Sequence, residues 1–489
     1  FLQVRYRDTE PSTYVLPLTT DSDPAAEELL AEHPEAAVAR LIDAGGSTLL
    51  LDATVVPGVY LTLLGVVGGR RRLKGAQGDL VGHAVKGLRS QLASAGELAA
   101  TPVREQPTMS NSSATYGDRF ALKLYRVLED GPNPDLEVGR YLAEAGFANV
   151  PRVLGSAEIA HGDDSATMAM VQEYVPHEGN LWESMREAVG AFLHDAEAEA
   201  EPPQLATDGD HFFLDISRQA VPARMASLIG TRLHTAHVLG ERIGQMHSLL
   251  AAGDPTDPAF APEPMSSFHV RSLYQSVRRR VNHALELLEE RREALPTRDQ
   301  EAARMVLEAS PRVDALLGRL RELRPAGQRI RIHGDLHLGQ VLDTGADVVL
   351  IDFEGDSGRP LSERRLKRPA LTDLASVVRS FHFAAHWPRV ERELLTGDAI
   401  EPDGLASWST AWFEWMAAAC IAGYRSATEE LDLNPSDDEA WSVLFKALLV
   451  SRACDELTSR IGSRSDWLGI PLAGLDELLG STGDQSAQG

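Results

Sequence analysis

The sequence predicts an α+β fold, with strands gathered before residue 176 and helices dominating after it. Three observations carry this. Short runs of alternating or β-branched residues, separated by turn residues, recur in the first third. Apolar residues at three- and four-residue spacing fill long blocks of the remainder. The chain has 489 residues, 43% of them hydrophobic and 24% charged, enough for two or three domains around a large buried core.

Taken in order, Leu2–Tyr6 and Tyr14–Leu18 read as strands with turn residues Thr9–Ser12 between them, Ala25–His33 and Ala36–Ile42 as helices, and Thr48–Asp52 as a strand. Gly68–Gly78, with Arg70, Arg71, Arg72 and Lys74, reads as a solvated polar loop, because a charge run alone is weak evidence of a binding patch. Ser110–Asp118 reads as a small-polar loop ahead of the strand Arg119–Tyr125. Proline and acidic residues in the first turn then start a helix over Asn133–Ala145. Ala169–Pro176 reads as a strand running into a connection, and the acidic, proline-bearing Asp195–Asp210 as a loop inserted between helices. Helices are expected over 222–252, 268–295, 298–322, 371–386 and 404–462. In the second of these Phe268, Leu273, Val277, Val281, Leu285 and Leu288 recur at core spacing.

A formal net charge of −25 excludes a nucleic-acid backbone or an anionic membrane as the main partner, but not a small anion neutralised locally by a metal. Two cysteines, Cys420 and Cys454, build no disulfide framework and point to a reducing, cytoplasmic setting. No signal peptide opens the chain, and the longest apolar stretch, near Met416–Ile421, is far too short to span a bilayer. The first residue is Phe, so the expectation is that the true start is missing or processed.

The segment Arg331-Ile332-His333-Gly334-Asp335-Leu336-His337-Leu338-Gly339-Gln340, followed by Val348–Ile351 and Asp352-Phe353-Glu354, carries the chemistry. It resembles the catalytic loop, short strand and metal carboxylate of protein-kinase-like phosphotransferases. Such enzymes need one Asp to take a hydroxyl proton, and an amide and a second Asp to hold Mg²⁺ on the phosphates of ATP. On that spacing Asp335 is the base, Gln340 and Asp352 are metal ligands, and Glu354, two residues on in an extended segment, is placed to reach a second metal or a sugar hydroxyl. Lys123 on its strand, paired with Glu137 one turn into the next helix, is expected to meet the α- and β-phosphates. The Ser110, Asn111, Ser112, Ser113 loop would cover the phosphates, and the backbone of Gln172, Glu173, Tyr174 and Val175 would meet the adenine. His333 reads as support beneath the loop. A zinc site from His333 and His337 is disfavoured, since no Glu follows the first His and Gly334 opposes a helix. His382 and His386 have helical spacing and read as a packed or surface pair.

With these residues in view, the chain resembles the actinobacterial maltokinase family and its aminoglycoside-phosphotransferase-like relatives. The resemblance runs through Ser110–Ser113, Tyr116-Gly117-Asp118, Leu122-Lys123-Leu124, Asn133–Gly139, His333–Gln340, Asp352–Gly355, Arg359-Pro360, Glu363-Arg364-Arg365, Asp373 and Arg379-Ser380-Phe381. It implies a two-lobed eukaryotic-protein-kinase-like fold. Residues 1–100 would be an N-terminal cap domain, 101–176 the rest of the nucleotide lobe with its hinge near 172–176, and 177–489 a helical lobe with the catalytic loop and sugar site. It also implies ATP, Mg²⁺ and a sugar acceptor in the groove between the lobes, in a monomer or homodimer.

The departures bear on the acceptor. Aligned on Asp466-Trp467, the Tyr- and Glu-rich helix typical of maltokinases becomes Arg452-Ala453-Cys454-Asp455-Glu456-Leu457-Thr458-Ser459-Arg460, which keeps only Glu456. Asp455 and Ser459 stand where the tyrosines would stack on a disaccharide, and Arg460 replaces the second glutamate. An added carboxylate suits a cationic group such as a sugar amine. Asp356 in place of Glu, and Thr108-Met109 in place of Glu-Gln, point the same way, toward the related glucosamine kinases. The resemblance therefore implies a substrate site from Asp335, His337, Glu354, Arg452, Asp455 and Glu456, with glucosamine 6-phosphate as product. The competing readings are a maltokinase forming maltose 1-phosphate, an aminoglycoside phosphotransferase, and an inactive kinase-like binding protein. For Asp455 the competing reading is a structural pair with Arg452 or Ser459; Trp412, Trp415, Tyr424 and Trp467 are either sugar-stacking surface or core.

Overall fold

A computed structural model describes residues 1–7, 11–43, 46–94, 98–103, 111–162, 164–196, 211–396, 405–463 and 466–480. Ser110, Thr108-Met109 and most of the Asp195–Asp210 segment lie outside these residues. The chain divides into two compact units, one of residues 1–176 with 353–364 and the other of 177–352 with 365–489.

The first unit is built on a seven-stranded antiparallel sheet. Its spatial order is Arg72–Leu73, Asp79–Ala84, Val153–His161, Asp164–Glu173, Phe120–Tyr125, Asn111–Tyr116 and Thr101–Pro102. Alternate residues of these strands bury Ala114, Tyr116, Leu122, Leu124, Leu154, Ala157 and Val171 against Tyr60, Leu63, Leu64 and Val67 of the helix Pro57–Gly68. Two glycines let that helix come close. A Cβ at Gly82 would lie 2.2 Å from the Val66 carbonyl oxygen, and one at Gly155 2.5 Å from Val67 Cγ1. The Tyr116 hydroxyl donates to the Tyr60 carbonyl at 2.6 Å and completes the seam.

Several expectations fail in this unit: the chain pairs over Ser12–Tyr14 and leaves Val15–Pro17 outside any strand, and Arg72–Leu73, expected in a loop, is a sheet-edge strand. Asn111–Tyr116 is a strand, not a loop, and it pairs residue for residue with Phe120–Tyr125 around Gly117. Small polar residues have weak strand preference, and the cross-strand pairing overrides it. Residues 36–42, expected to be helical, fall largely in the strand Ala37–Asp43, which pairs with Gly46–Asp52, itself paired with Leu18–Ser22. Here the helix preference of Ala, Arg and Leu yields to a hairpin that shields a small core of Ala26, Leu49 and Leu51. The seven-stranded sheet also runs through residue 100, drawing strands from both sides of it.

The second unit is largely helical. Its long helices are Leu181–Ala196, Arg232–Ala251, Ser267–Arg291, Thr297–Glu308, Ser310–Glu322, Leu371–Thr396, Leu405–Thr428, Asp438–Ser463 and Gly469–Gly480. Among the described residues no helix is long and apolar enough to cross a membrane. Of the expected core positions on Ser267–Arg291, Val277, Val281 and Leu288 are buried, but Phe268 is 74% exposed beside the helix N-cap. Two three-stranded sheets flank the 331–340 segment. One joins Glu263–Pro264, Gln328–Ile330 and Arg368–Pro369; the other joins Gly179–Asn180, Val341–Asp343 and Val348–Leu350.

The helices Arg232–Ala251 and Leu405–Thr428 are locked backbone to backbone. A Cβ at Gly240 would stand 1.9 Å from the Cys420 carbonyl oxygen, and one at Gly423 2.0 Å from that of His237. Gly423→Ala should therefore destabilise the chain by at least about 1–3 kcal/mol through overpacking. Gly190→Ala, at a helical position with nothing within 4 Å of the added carbon, should instead stabilise it by roughly 0.5–1 kcal/mol. Urea denaturation of the two variants checks the contrast.

Candidate functional site

In the helical unit the segment from Arg331 to Gln340 leaves the short strand Gln328–Ile330 as irregular backbone, so its polar groups need partners from elsewhere. Asp373, at the start of the helix Leu371–Thr396, supplies them. Its carboxylate accepts from the His333 N–H at 2.8 Å and the Gly334 N–H at 2.9 Å, and contacts His247 Nε2 at 3.0 Å. Burial alone would push this carboxyl up. The His247 hydrogen bond and charge, with His333 and the Gly334 N–H, outweigh burial and hold it below the usual carboxylate range. Gly334 has φ +88°, a left-handed turn open to glycine at low cost. His333 Nε2–H donates to the Ile351 carbonyl at 2.9 Å, the supporting position expected of it.

Asp335 follows this pinned turn and forms an ion pair with Arg452 at 3.1 Å. Arg452 comes from the helix Asp438–Ser463 and lies 3.6 Å from Glu456, one turn along. Burial tends to lower the Arg452 pKa, but Asp335, Glu456 and Asp455 outweigh it and raise the value, so the guanidinium stays charged. Glu456 in turn accepts from the buried Arg379 at 2.9 Å. Asp455, beside Glu456 on the same helix, adds to the negative charge around Arg452. It takes Arg280, from the helix Ser267–Arg291, at 3.4 Å. His337 caps the short helix Leu338–Gln340, its Nδ1 accepting from the Gly339 N–H at 3.1 Å, which leaves the proton on Nε2. Burial lowers its pKa, and the neutral ring follows. Gln340 Nε2 donates to Asp352 Oδ2 at 2.8 Å, and Asp352 adopts φ +66°, a strained conformation for a residue other than glycine.

That φ corrects one expectation. Asp352-Phe353-Glu354 is not an extended segment, so the two-residue alternation that put both carboxylates on one side does not apply. Asp352 bonds Gln340 in the helical unit. Glu354 belongs to the other unit, where it accepts from Asn111 Nδ2 at 2.8 Å, lies 3.8 Å from Lys123 and sits 3.5 Å from the buried Arg364.

In that first unit Lys123 donates to Asp135 at 2.9 Å. Asp135 was passed over in the sequence, although it shares the helix's first turn with the half-buried Glu137. It is a buried hub that also accepts from the Tyr125 hydroxyl at 3.1 Å and the Phe353 N–H at 2.8 Å. Asn111 and Ser113 share the Lys123 face of the sheet, Ser113 directly opposite Lys123. Ser112 is a correction: it lies on the other face, buried, and accepts from Arg126 Nε at 2.8 Å. Among the expected hinge residues the N–H groups of Glu173 and Tyr174 are already given to the carbonyls of Arg152 and Arg119, at 2.9 and 3.0 Å. Those two donors are therefore not open to an adenine, a second correction; Gln172 precedes them within the strand Asp164–Glu173, and Val175 lies two residues beyond the strand's end.

The aromatic candidates divide as well. Trp412, Trp415 and Tyr424 are fully buried core residues, not sugar-stacking surface, because the helix carrying them is enclosed by its neighbours. Trp467 stacks on Trp387, with centroids 3.6 Å apart and planes 12° apart.

Comparison with known proteins places these residues among relatives. The phosphotransferase enzyme family matches residues 110–408. A glucosamine kinase of Streptacidiphilus jiangxiensis is 24% identical over 378 residues, covering 76% of this chain and 72% of the relative. One from Mycolicibacterium smegmatis is 25% identical over 374 residues, covering 76% and 77%. Among solved structures, a glucosamine kinase superposes with TM-score 0.57 at 20% identity, over 90% of this chain and 85% of that one. A glucosamine kinase in complex with glucosamine, ADP and inorganic phosphate gives TM-score 0.55 at 19% identity, over 84% and 94%. At these identities the structures establish a shared two-lobed α+β kinase-like fold.

Asp373 generates a test with a definite sign. Its folded pKa is depressed, so its stabilisation is present above the unfolded value of about 3.9 and is lost as pH falls through the folded value. Asp373→Ala leaves buried partners unmatched and should cost about 3–5 kcal/mol near neutral pH. The difference from the unsubstituted chain should shrink as pH falls below about 4, which urea denaturation at the two pH values measures.

Proposed function

This chain belongs to the phosphotransferase enzyme family, and we propose that it is an ATP- and Mg²⁺-dependent sugar kinase that converts glucosamine to glucosamine 6-phosphate. The observation that carries the reading is the Gln340–Asp352 hydrogen bond at 2.8 Å, on the same framework that pins Asp335 through Asp373.

The donor set fits magnesium. Asp352 offers a carboxylate and Gln340 an amide oxygen, its Nε2 being spent on Asp352; hard oxygen donors few in number are what Mg²⁺ takes when nucleotide phosphates complete its shell. When bound there the ion supplies charge neutralisation for the phosphates. Asp335 orients the acceptor hydroxyl and takes its proton as the oxygen–phosphorus bond forms and the bond from the γ-phosphorus to the β-bridging oxygen breaks, releasing ADP. Arg452 fixes the direction of the Asp335 carboxylate. Lys123, oriented by Asp135, is the cation for the nucleotide phosphates, and Asn111 and Ser113 share its face of the sheet. In this reading residues 1–100 are the cap and lend the strands Arg72–Leu73 and Asp79–Ala84 to the nucleotide sheet.

The acceptor choice turns on one carboxylate. Glu456 meets two guanidiniums, whereas Asp455, 3.4 Å from Arg280, has a side chain 34% exposed. A partly exposed carboxylate has several lone-pair sites and suits an ammonium group, and the glucosamine kinase relatives support that choice over maltose.

ADP-release assays with glucosamine, glucose and maltose test the reading; a preference for maltose overturns it. Asp335→Asn should lower kcat by roughly 10²–10⁴-fold with ATP affinity retained in equilibrium titration. Asp455→Asn should raise KM for glucosamine by about 10–100-fold, the worth of a charge-assisted hydrogen bond, and leave glucose nearly unaffected. Equal effects on both sugars would assign Asp455 a structural role.

A further inference from the structure

Behind Glu456, within the helical unit, lies a cavity of about 490 Å³ whose lining includes Arg379, His382, Phe413, Glu414 and Glu477. His382 and His386 stand four residues apart on the helix Leu371–Thr396, so both rings project from one face. Their centroids are 4.4 Å apart. Glu477, from the helix Gly469–Gly480, faces both: Oε2 is 3.1 Å from His382 Nε2 and Oε1 is 3.6 Å from His386 Nε2. One ligand atom from each of the three residues falls within 4.8 Å of the others. Both imidazoles are buried, and among the described residues His382 Nδ1 and both nitrogens of His386 have no hydrogen-bond partner. Orphaned buried nitrogens of this kind are costly and call for a reason.

We propose that His382, His386 and Glu477 form a site for a divalent transition metal of the zinc class, with a fourth position opening on the cavity. The sequence reading of the two histidines as a packed or surface pair does not account for one Nε2 of each ring meeting a single carboxylate while three of the four ring nitrogens make no hydrogen bond among the described residues. Two histidines at i and i+4 with a carboxylate from a second helix form a known tetrahedral set. Two imidazole donors select zinc, cobalt or nickel over the Mg²⁺ of phosphoryl transfer. Burial also holds both rings in the neutral form that ligation requires, His386 lowered to about 3 and His382 well below its ordinary value. Phe383 follows His382 where hydrolytic zinc enzymes carry their general base, so the site binds without that chemistry. Arg379, one turn before His382, lines the same cavity and holds Glu456, which ties the site to the Asp335 framework.

Equilibrium dialysis of the EDTA-treated full chain against Zn²⁺, with excess Mg²⁺ present, should find one tightly bound equivalent. His386→Gln and Glu477→Gln, each verified as folded by circular dichroism, should weaken it by more than the roughly 10–100-fold that losing an outer-shell partner costs. Crystals of the unsubstituted chain grown with one equivalent of Zn²⁺ should show their strongest zinc-edge anomalous peak between His382, His386 and Glu477, a readout that needs no variant. Absence of a bound equivalent, unchanged binding in the folded variants, or a strongest peak elsewhere would overturn the proposal.

Discussion

One buried carboxylate sets the geometry on which the helical unit's chemistry depends. Asp373 accepts the two consecutive backbone N–H groups of His333 and Gly334 and meets His247 from a third element. A carboxylate so enclosed costs several kcal/mol to desolvate, and only a full set of partners offsets that. Once that set is satisfied, the turn at Gly334 is fixed and Asp335 has a defined direction. The same loop continues into Leu338–Gln340, so the amide that bonds Asp352 hangs on the same anchor. Charge then spreads outward through Arg452, Glu456 and Arg379 as alternating pairs.

The first unit repeats this logic with Asp135. A buried carboxylate gathers a lysine and a phenol from the strand Phe120–Tyr125 and a backbone N–H from Phe353, far along the chain, and so holds Lys123 in place. In both units a carboxylate that does no chemistry in the proposed reaction fixes the residue that does. Preorganisation of this sort is how phosphoryl transfer is accelerated, since the reaction asks mainly for position and charge compensation.

How much of this the sequence disclosed follows from distance along the chain. His333 to Asp352 is local, and the spacing of Asp335, Gln340 and Asp352 could be read directly. The anchors were harder. Asp373 lies 40 residues from His333, and Arg379 lies 77 from Glu456. Both entered only through resemblance, because periodicity does not reveal a long-range ion pair. Asp135 shares one helical turn with Glu137, and nothing local shows that it meets Lys123. The 111–116 strand was misread because Ser, Thr and Asn signal turns, and only the pairing with Phe120–Tyr125 shows otherwise. Glu354 was misplaced because a single left-handed residue, Asp352, breaks the alternation on which the inference rested.

The measurement closest to the central claim is ³¹P nuclear magnetic resonance of the chain incubated with ATP, Mg²⁺ and glucosamine. The account predicts loss of the γ-phosphate signal matched by a new sugar phosphomonoester and ADP, with the ester forming roughly 10²–10⁴-fold more slowly when Asp335 is replaced by Asn. ATP left intact, conversion to ADP and inorganic phosphate without an ester, or ester formation at an undiminished rate in the Asp335→Asn chain would contradict it.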